Sequence, residues 1–236
     1  MSTDCSNVIN LAIGLNMVTR NPTLMQSIRD DCCNTALTQV ICSNTEIIEI
    51  DWSRSNLNGK INGTALPSTL INLFLDNNVI KASNFQFPPN LEYVDLSLTS
   101  MIMGLPELPN TIDTVIMYYS DFANVTNLPE GMTYFNSGHG KLTGALPAIP
   151  STMVKLHIDE NYLSGSLPLL PESLLDFKCN GNKFSGSIPS LPSRLTLGQF
   201  QNNLFTGSLP AIPLNVLEIN FGSILLPDQS QSIQIN

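Results

Sequence analysis

A chain of 236 residues is long enough to bury a sizeable hydrophobic core. Hydrophobic residues make up 42% of the chain and charged residues only 12%, which argues against intrinsic disorder. The net charge of −9 disfavours nucleic acid and anionic membranes as partners, and no apolar run approaches the roughly 20 residues of a membrane span.

The N-terminal region, residues 1–46, holds four of the five cysteines: Cys5, Cys32, Cys33 and Cys42. We predict that all four form disulfides, which would place the chain in an oxidising compartment. The alternatives are four reduced thiols or a zinc site, but a zinc site would need a second close pair of ligands, and no histidine lies near. Four cysteines allow three connectivities, and the sequence alone does not choose among them. Residues 6–17 and 24–30 are predicted to form short helices.

Residues 47–227 form nine blocks of similar sequence. The first begins at Ile47, and the second follows 23 residues later. The others succeed one another at intervals of 20 or 21 residues, with first residues Leu70, Leu91, Ile112, Met132, Met153, Leu174, Leu195 and Val216. A repeat of this length predicts a solenoid in which each block packs against its neighbours, because one block cannot bury its own apolar face.

Each block follows one internal pattern. Apolar residues occupy positions 1, 4, 6 and 11, as in Met153, Leu156, Ile158 and Leu163. The alternation at positions 4 and 6 predicts a short strand with those side chains inward. Leu-Pro or Ile-Pro at positions 15 and 16 predicts an extended, irregular return side, because proline cannot continue a ladder or a helix.

Position 9 is asparagine in the clearest blocks. We predict a buried column of amides that hydrogen-bond the turning backbones of adjacent blocks, built from Asn78, Asn161, Asn182 and Asn203. Thr99 and Ser120 stand in for asparagine in blocks three and four, and Gly140 in block five. A polar column can tolerate the hydroxyls, whereas Gly140 would leave its place to water or backbone.

The segment Asn-x-Leu/Phe-x-Gly-x-Leu/Ile-Pro resembles the plant-type leucine-rich repeats of cell-surface receptors and polygalacturonase-inhibiting proteins. The shorter Leu/Ile-Pro-x-x-Leu half is similar to the repeats of bacterial secreted effectors. The resemblance covers about residue 47 to the C-terminus and implies a right-handed α/β solenoid. Its expected parts are a parallel concave sheet, a mostly irregular or 3-10 convex side and a short helical N-terminal cap.

The cysteine pattern resembles the N-terminal cap of the same plant-type proteins, although the tryptophan that usually follows the doublet is missing. This resemblance implies the pairing Cys5–Cys32 and Cys33–Cys42. The predicted organisation is a cap over residues 1–46, nine repeats over 47–227 and a polar tail over 228–236. Cys179 lies at an inward position 6 and is expected to be a buried free thiol.

Positions 3, 5, 7 and 8 of each block are expected to point outward on the concave face. Blocks two to five place a group of aromatic and apolar residues there: Phe74, Tyr93, Ile116, Tyr118, Tyr119 and Tyr134. Neighbouring exposed aromatics favour a binding surface, because tyrosine offers both a flat ring and a hydroxyl. The alternative is that the rings only stack across strands and support the sheet.

Blocks five and six place His139, His157, Asp159 and Glu160 on the same face. The ordinary interpretation is a solvated polar surface, and we predict that His157 and Asp159 contribute to ligand binding. A metal site, or a hydrolytic site with Ser137, is the less favoured alternative. We expect no metal, cofactor or catalytic residue, because the pattern provides neither a buried nucleophile nor an oxyanion hole, and the glycines serve the periodic turns.

These features predict an extracellular or cell-surface scaffold, monomeric, that binds a protein, peptide or glycan on its concave face. The alternatives are an inhibitor of a secreted hydrolase and, less favoured, a structural or ice-binding surface or an intracellular effector-like scaffold. We expect no nucleic-acid partner and no membrane insertion by this chain. Two glycosylation sequons begin at Asn62 and Asn124.

Overall fold

The computed structural model describes residues 3–33, 38–62, 66–83, 86–102, 104–225 and 230–235. The chain divides into two compact units, Met1–Asp121 and Phe122–Asn236. Both are built from stacked turns of the predicted kind, and each of the nine blocks contributes one strand at or around its positions 3 to 5. The predicted solenoid with a parallel sheet and a short helical cap is therefore confirmed.

In the described part of the first unit, three helices are followed by seven strands. The helices are α1 (Thr3–Gly14), α2 (Met17–Arg20) and α3 (Pro22–Asp30). The strands are β1 (Val40–Ser43), β2 (Glu46–Asp51), β3 (Lys60–Asn62), β4 (Asn72–Phe74), β5 (Lys81–Ser83), β6 (Tyr93–Asp95) and β7 (Thr114–Ile116). The order β1-β2-β4-β6-β7 forms the main sheet, parallel except for the antiparallel pair β1–β2, while β3 and β5 pair in parallel on their own.

Two disulfides fasten the cap, with the pairing that the family resemblance implies. Cys5 on α1 is bonded to Cys32 just after α3, and Cys33 is bonded to Cys42 on β1. The Cα–Cα distances are 5.7 and 5.5 Å, within the ordinary range for a disulfide. The cap helices therefore cannot separate from the first strands while the bonds are intact.

The described part of the second unit contains ten strands. They are β8 (Tyr134–Asn136), β9 (Thr143–Gly144), β10 (Lys155–His157), β11 (Tyr162–Gly165), β12 (Asp176–Lys178), β13 (Lys183–Gly186), β14 (Leu197–Gln199), β15 (Leu204–Phe205), β16 (Glu218–Leu225) and β17 (Ser230–Ile235). The main sheet runs β8-β10-β12-β14-β16-β17 and is parallel up to β16. The antiparallel strand β17 pairs with β16 along the last turn, within the stretch that the sequence analysis expects to be a polar tail.

The return side of the second unit carries a second sheet, in the order β9-β11-β13-β15. Its strands are two to four residues long and pair in parallel. The glycine that ends three of these short strands has a positive φ, as at Gly165 (86°), so the chain turns away at once. The extended return side that the prolines predict is thus ordered by backbone pairing here.

Each ladder asparagine satisfies its whole amide. In the second unit, Nδ2 of Asn182 donates to the carbonyl oxygens of Ile158, Cys179 and Asn180, while its Oδ1 accepts from the backbone N–H of Leu163. Asn161 makes the equivalent bonds one turn earlier. Because these partners belong to two successive turns, the amide joins the turns together.

The ladder of the first unit changes chemistry along its length. Asn78 makes the complete set of bonds to the backbones of two turns. Thr99 and Ser120 are buried hydroxyls that both donate to the carbonyl oxygen of Leu96. A hydroxyl has one proton to give, so these turns keep fewer cross-turn bonds than an asparagine would make.

Candidate ligand-binding strand faces

We use the name strand face for the outward side chains at block positions 3, 5, 7 and 8, which lie on and just beyond the main-sheet strands. In the first unit, the strand register sets Asp51, Phe74, Asp95 and Ile116 side by side at position 5. Glu49, Asn72, Tyr93 and Thr114 form the neighbouring row at position 3. Neighbouring strands lie roughly 4.8 Å apart, so side chains in a row are in contact distance.

The predicted aromatic residues of the first unit come together as two ring pairs. The ring centroids of Phe74 and Tyr93 are 4.8 Å apart with a tilt of 34°, and those of Tyr118 and Tyr119 are 4.5 Å apart, edge to face. Tyr119 is 48% exposed, whereas the others and Ile116 are partly buried. Both interpretations of the aromatic group therefore have support, since the rings stack on each other and still present area to solvent.

Three aspartates lie near Phe74 on the strand face. Asp51 and Asp95 flank it in the same row, and Asp76 lies two residues after it, just beyond β4. Burial, together with the negative charges of Asp95 and Asp51, raises the pKa of the Asp76 carboxyl. Arg54 opposes this rise, but its Nε lies 4.0 Å from Asp76 Oδ2 and its side chain is 79% exposed.

Sequence reasoning did not single out these aspartates. Their shared location depends on the register between turns of unequal length, because 23 residues separate the first two blocks and 21 the next two. Aligning position 5 of the first three blocks would have shown the row Asp51, Phe74, Asp95, but not the partial burial that raises the pKa of Asp76.

In the second unit, Tyr134 lies beside charged residues instead of other tyrosines. Its ring is 5.8 Å from the His157 ring, edge to face, and the Lys155 ammonium lies 5.9 Å from the ring centre. The row at position 3 contains Tyr134, Lys155 and Asp176. The row at position 5 contains Asn136, His157 and Lys178. This strand face is therefore mixed in charge.

Both histidines of the chain lie close to an aspartate of the following turn. His157 Nε2 is 2.9 Å from Asp176 Oδ2, and His139 Nε2 is 3.6 Å from Asp159 Oδ2. Burial alone would raise the pKa of Asp176, but the hydrogen bond from His157 and the charges of His157, Lys178 and Lys155 outweigh it and lower that pKa. The carboxylate of Asp176 is thus held in its charged form by its neighbours.

The structure separates Ser137 from these histidines. Ser137 occupies an inward position 6 and is fully buried, so its hydroxyl does not share the strand face with His139 and His157. Within the described ranges, the one His/Cys/Asp/Glu group whose ligand atoms all lie within 4.8 Å is Cys5, Cys32 and Cys33, and these sulfurs are already in disulfides. Neither the hydrolytic nor the metal alternative gains support from this geometry.

The remaining predicted residues lie away from the strand faces. Cys179 is buried, and burial together with the charge of Asp159 raises the pKa of its thiol well above the usual value. Asn124 is exposed in the loop after β7. Asn62 ends β3, and the rest of its sequon, Gly63 and Thr64, lies outside the described residues. Glycosylation at either position stays a prediction.

Solved structures with similar folds include two plant receptor kinases and YopM. The ectodomain of the Arabidopsis thaliana receptor kinase GASSHO1/SCHENGEN3, solved with CASPARIAN STRIP INTEGRITY FACTOR 2, matches with a TM-score of 0.68 and 21% identity. It covers 88% of this chain and 28% of the receptor chain. The Arabidopsis receptor kinase HAESA, solved with the peptide hormone IDA and the co-receptor SERK1, matches with a TM-score of 0.67 and 19% identity, over 96% of this chain and 46% of that one.

YopM from Yersinia enterocolitica matches with a TM-score of 0.61 and 27% identity, over 72% of this chain and 37% of YopM. The chain has the leucine-rich-repeat fold. No protein-family model and no curated protein sequence matches this leucine-rich-repeat chain. It spans less than half the length of each of these three similar proteins. Among its described residues, none of the helices has the length and apolar character needed to cross a bilayer.

Proposed function

We propose that this leucine-rich-repeat chain is an extracellular or cell-surface recognition scaffold that binds a protein, peptide or glycan on its strand face. The observation that carries the proposal is the pair of ring contacts on the first unit, Phe74 with Tyr93 and Tyr118 with Tyr119. Partly exposed aromatic residues in such a cluster are typical of binding hot spots. The repeat pattern predicts that this face is concave, a shape that surrounds a ligand.

Two further observations support the proposal. The similar receptor ectodomains were solved with bound ligands, the peptide hormone IDA in the case of HAESA. The two disulfides suit an oxidising compartment outside the cell. Binding is favoured over catalysis because Ser137, the nucleophile considered for a hydrolytic site, is buried away from both histidines.

The test is a capture screen against arrays of secreted proteins, peptides and glycans. The wild-type chain is compared with Phe74→Ala/Tyr93→Ala, and Tyr162→Ala is the matched control because Tyr162 is 52% exposed on the return-side strand β11. We expect the double variant to weaken capture of the selected ligand by at least about tenfold, the range of hot-spot truncations, while the control binds normally. Unchanged capture by a double variant that is folded, as judged by circular dichroism, would remove the proposal.

A further inference from the structure

The strand face of the first unit combines a partly buried ring pair with an excess of negative charge. Asp51, Phe74 and Asp95 are neighbours in one row, so the two carboxylates lie roughly 10 Å apart across the ring. Asp76 is close enough to both for their charges to raise its pKa. Three carboxylates thus belong to the row that contains Phe74 or to the position two residues after it.

The basic residues on this face balance only part of its negative charge. Among the strand-face positions of the first four blocks, all of which the structure describes, Arg54 is the one basic residue. The carboxylates there are Glu49, Asp51, Asp76 and Asp95. Asn72 donates a hydrogen bond to Glu49, but a neutral amide does not cancel its charge. A positively charged ligand would neutralise the excess negative charge of this surface.

The ring pair supplies a second type of contact for the same cation. A guanidinium or ammonium group within about 6 Å of an aromatic ring centre is attracted by the ring face. The ring centroids of Phe74 and Tyr93 are 4.8 Å apart and the ring planes are tilted by 34°, so the rings lie partly over each other and a cation would stack on the outer side of the pair. Arginine suits this arrangement better than lysine, because its planar group can stack on a ring while its edge donates to carboxylates.

We propose that the strand face of the first unit binds a basic peptide segment, with an arginine side chain stacked on the outer side of the Phe74–Tyr93 pair and attracted by the carboxylates of Asp51, Asp76 and Asp95. This inference rests on the proposed function and specifies the class of its ligand. A neutral glycan would stack on the rings but leave the carboxylates without a counter-charge, so the charge complementarity favours the peptide.

The direct test uses the whole chain and two synthetic probes. One is an acetylated, amidated Gly/Ser nonapeptide that carries three arginines, and the other replaces each arginine with the neutral isostere citrulline. We expect the arginine peptide to bind about tenfold more tightly at low ionic strength, measured by fluorescence anisotropy, and the difference to shrink with added salt. Equal binding of the two probes, or no binding of the arginine peptide, would overturn the inference.

Variants locate the site. Asp76→Asn and Phe74→Ala should each weaken binding of the arginine peptide by about threefold to tenfold. Glu107→Gln is the control, because it makes the same change in net charge at an exposed residue outside the strands. If Glu107→Gln weakens binding as much as Asp76→Asn does, or if Phe74→Ala has no effect, the attraction is a property of net charge and the inference is wrong.

The ligand from the capture screen separates this inference from the proposed function. If Phe74→Ala/Tyr93→Ala abolishes capture while Asp51→Asn/Asp76→Asn/Asp95→Asn does not, the face binds a ligand that is not basic and only the inference fails. If neither variant changes capture, both fail. Loss of capture in both variants is the result we expect.

Discussion

The two strand faces hold half-buried aspartates in opposite electrostatic settings. Asp76 in the first unit has a side-chain exposure of 19%, and Asp176 in the second has 21%. Asp76 faces other carboxylates and its pKa is raised, whereas Asp176 faces His157 and two lysines and its pKa is lowered. Equal burial therefore does not fix the energetic role of a residue. The neighbours of Asp176 offset its charge, whereas Asp76 lies near two carboxylates and one arginine. The surroundings of Asp76 therefore keep an excess of negative charge that a ligand can neutralise.

Removal of a cap disulfide should produce the largest expected effect, a loss of stability confined to the first unit. Both disulfides lie in the first unit, and Cys5–Cys32 closes a loop with a sequence separation of 27. Loop-closure entropy predicts that Cys5→Ala/Cys32→Ala lowers the free energy of unfolding by about 3 to 4 kcal/mol. Hydrogen exchange should show faster exchange in α1 and α3. If β12 and β14 lost as much protection as the cap, the effect would not be local to the first unit.

The second largest difference should come from the polar ladders, measured as the loss in the free energy of unfolding when one ladder side chain is removed from each unit. Asn182→Ala removes an amide that serves three carbonyl oxygens and one N–H, so we expect a loss of about 3 kcal/mol. Thr99→Val removes one hydroxyl bond to Leu96 and should cost about 1 kcal/mol. Urea denaturation measures both. Equal losses would mean that hydroxyls and amides join the turns equally well.

Position 8 of blocks one to eight adopts a left-handed backbone conformation. Substitutions there should change the free energy of unfolding by smaller amounts, with opposite signs in the two units. Leu98 has φ 54° and is 50% exposed, so Leu98→Gly should relieve strain and stabilise the fold by about 0.5 kcal/mol. Gly181 has φ 67° at the equivalent position of block seven, and Gly181→Ala should cost about 1 kcal/mol and force the Glu160 carboxylate aside. Thermal melting should show a higher melting temperature for Leu98→Gly and a lower one for Gly181→Ala. A higher melting temperature for Gly181→Ala would contradict the expected strain at this position.

The smallest pair of effects is the most direct test of the two electrostatic settings. At pH 7, Asp76→Asn should raise the free energy of unfolding by about 0.5 kcal/mol, because the charged form is disfavoured in the fold. Asp176→Asn should lower it by a similar amount, because its charged form is stabilised by His157 and the lysines. Chemical denaturation at pH 7, with each variant against wild type, gives both values.

The pH dependence follows from the directions of the pKa shifts. The benefit of a charged Asp176 is present above the unfolded value, near 3.8, and is lost as the pH falls through the lowered native pKa. The penalty of a charged Asp76 is relieved as the pH falls through its raised native pKa. Both variants should therefore approach wild-type stability in acid, from opposite sides. If both substitutions changed the free energy of unfolding in the same direction at pH 7, the two aspartates would not lie in opposite electrostatic settings.

Asp76→Asn also links the stability measurement to the binding measurement. A variant that becomes more stable and at the same time binds the basic peptide less tightly cannot have lost binding through unfolding. That combination is the expected signature of a residue kept for recognition at a cost to the fold.

Much of the fold could be predicted from the sequence, because the repeat constrains it many times over. Period, inward positions and ladder asparagines recur in several blocks, so chance departures such as Gly140 do not hide them. The cap disulfides came from a family resemblance, since four cysteines by themselves leave three pairings open. The pairing of β17 with β16 was not anticipated, because the stretch is polar and has no partner block from which to infer a register.

The site was less predictable for physical reasons. Outward aromatics are visible in the sequence, but the stacking of Phe74 on Tyr93 depends on the side-chain geometry of two turns. The left-handed conformation at position 8 gives no compositional signal, because residues as different as Arg54, Leu98 and Glu160 adopt it. The surroundings of Asp76 and Asp176 depend on charges from neighbouring turns, which no single block reveals.

The ladder hydrogen bonds have a consequence for how such a chain can change in length. Asn182 and Asn203 make matching bonds, each reaching back to the turn before its own. Deletion of the whole turn from Leu174 to Arg194 would bring Asn203 opposite Leu163 and Ile158, the groups that Asn182 now serves. If a copied turn were inserted, its ladder asparagine would likewise bond to the backbone of the turn before it. Duplication and loss of single turns can therefore shift the spacing of surface residues without leaving a buried backbone group unpaired.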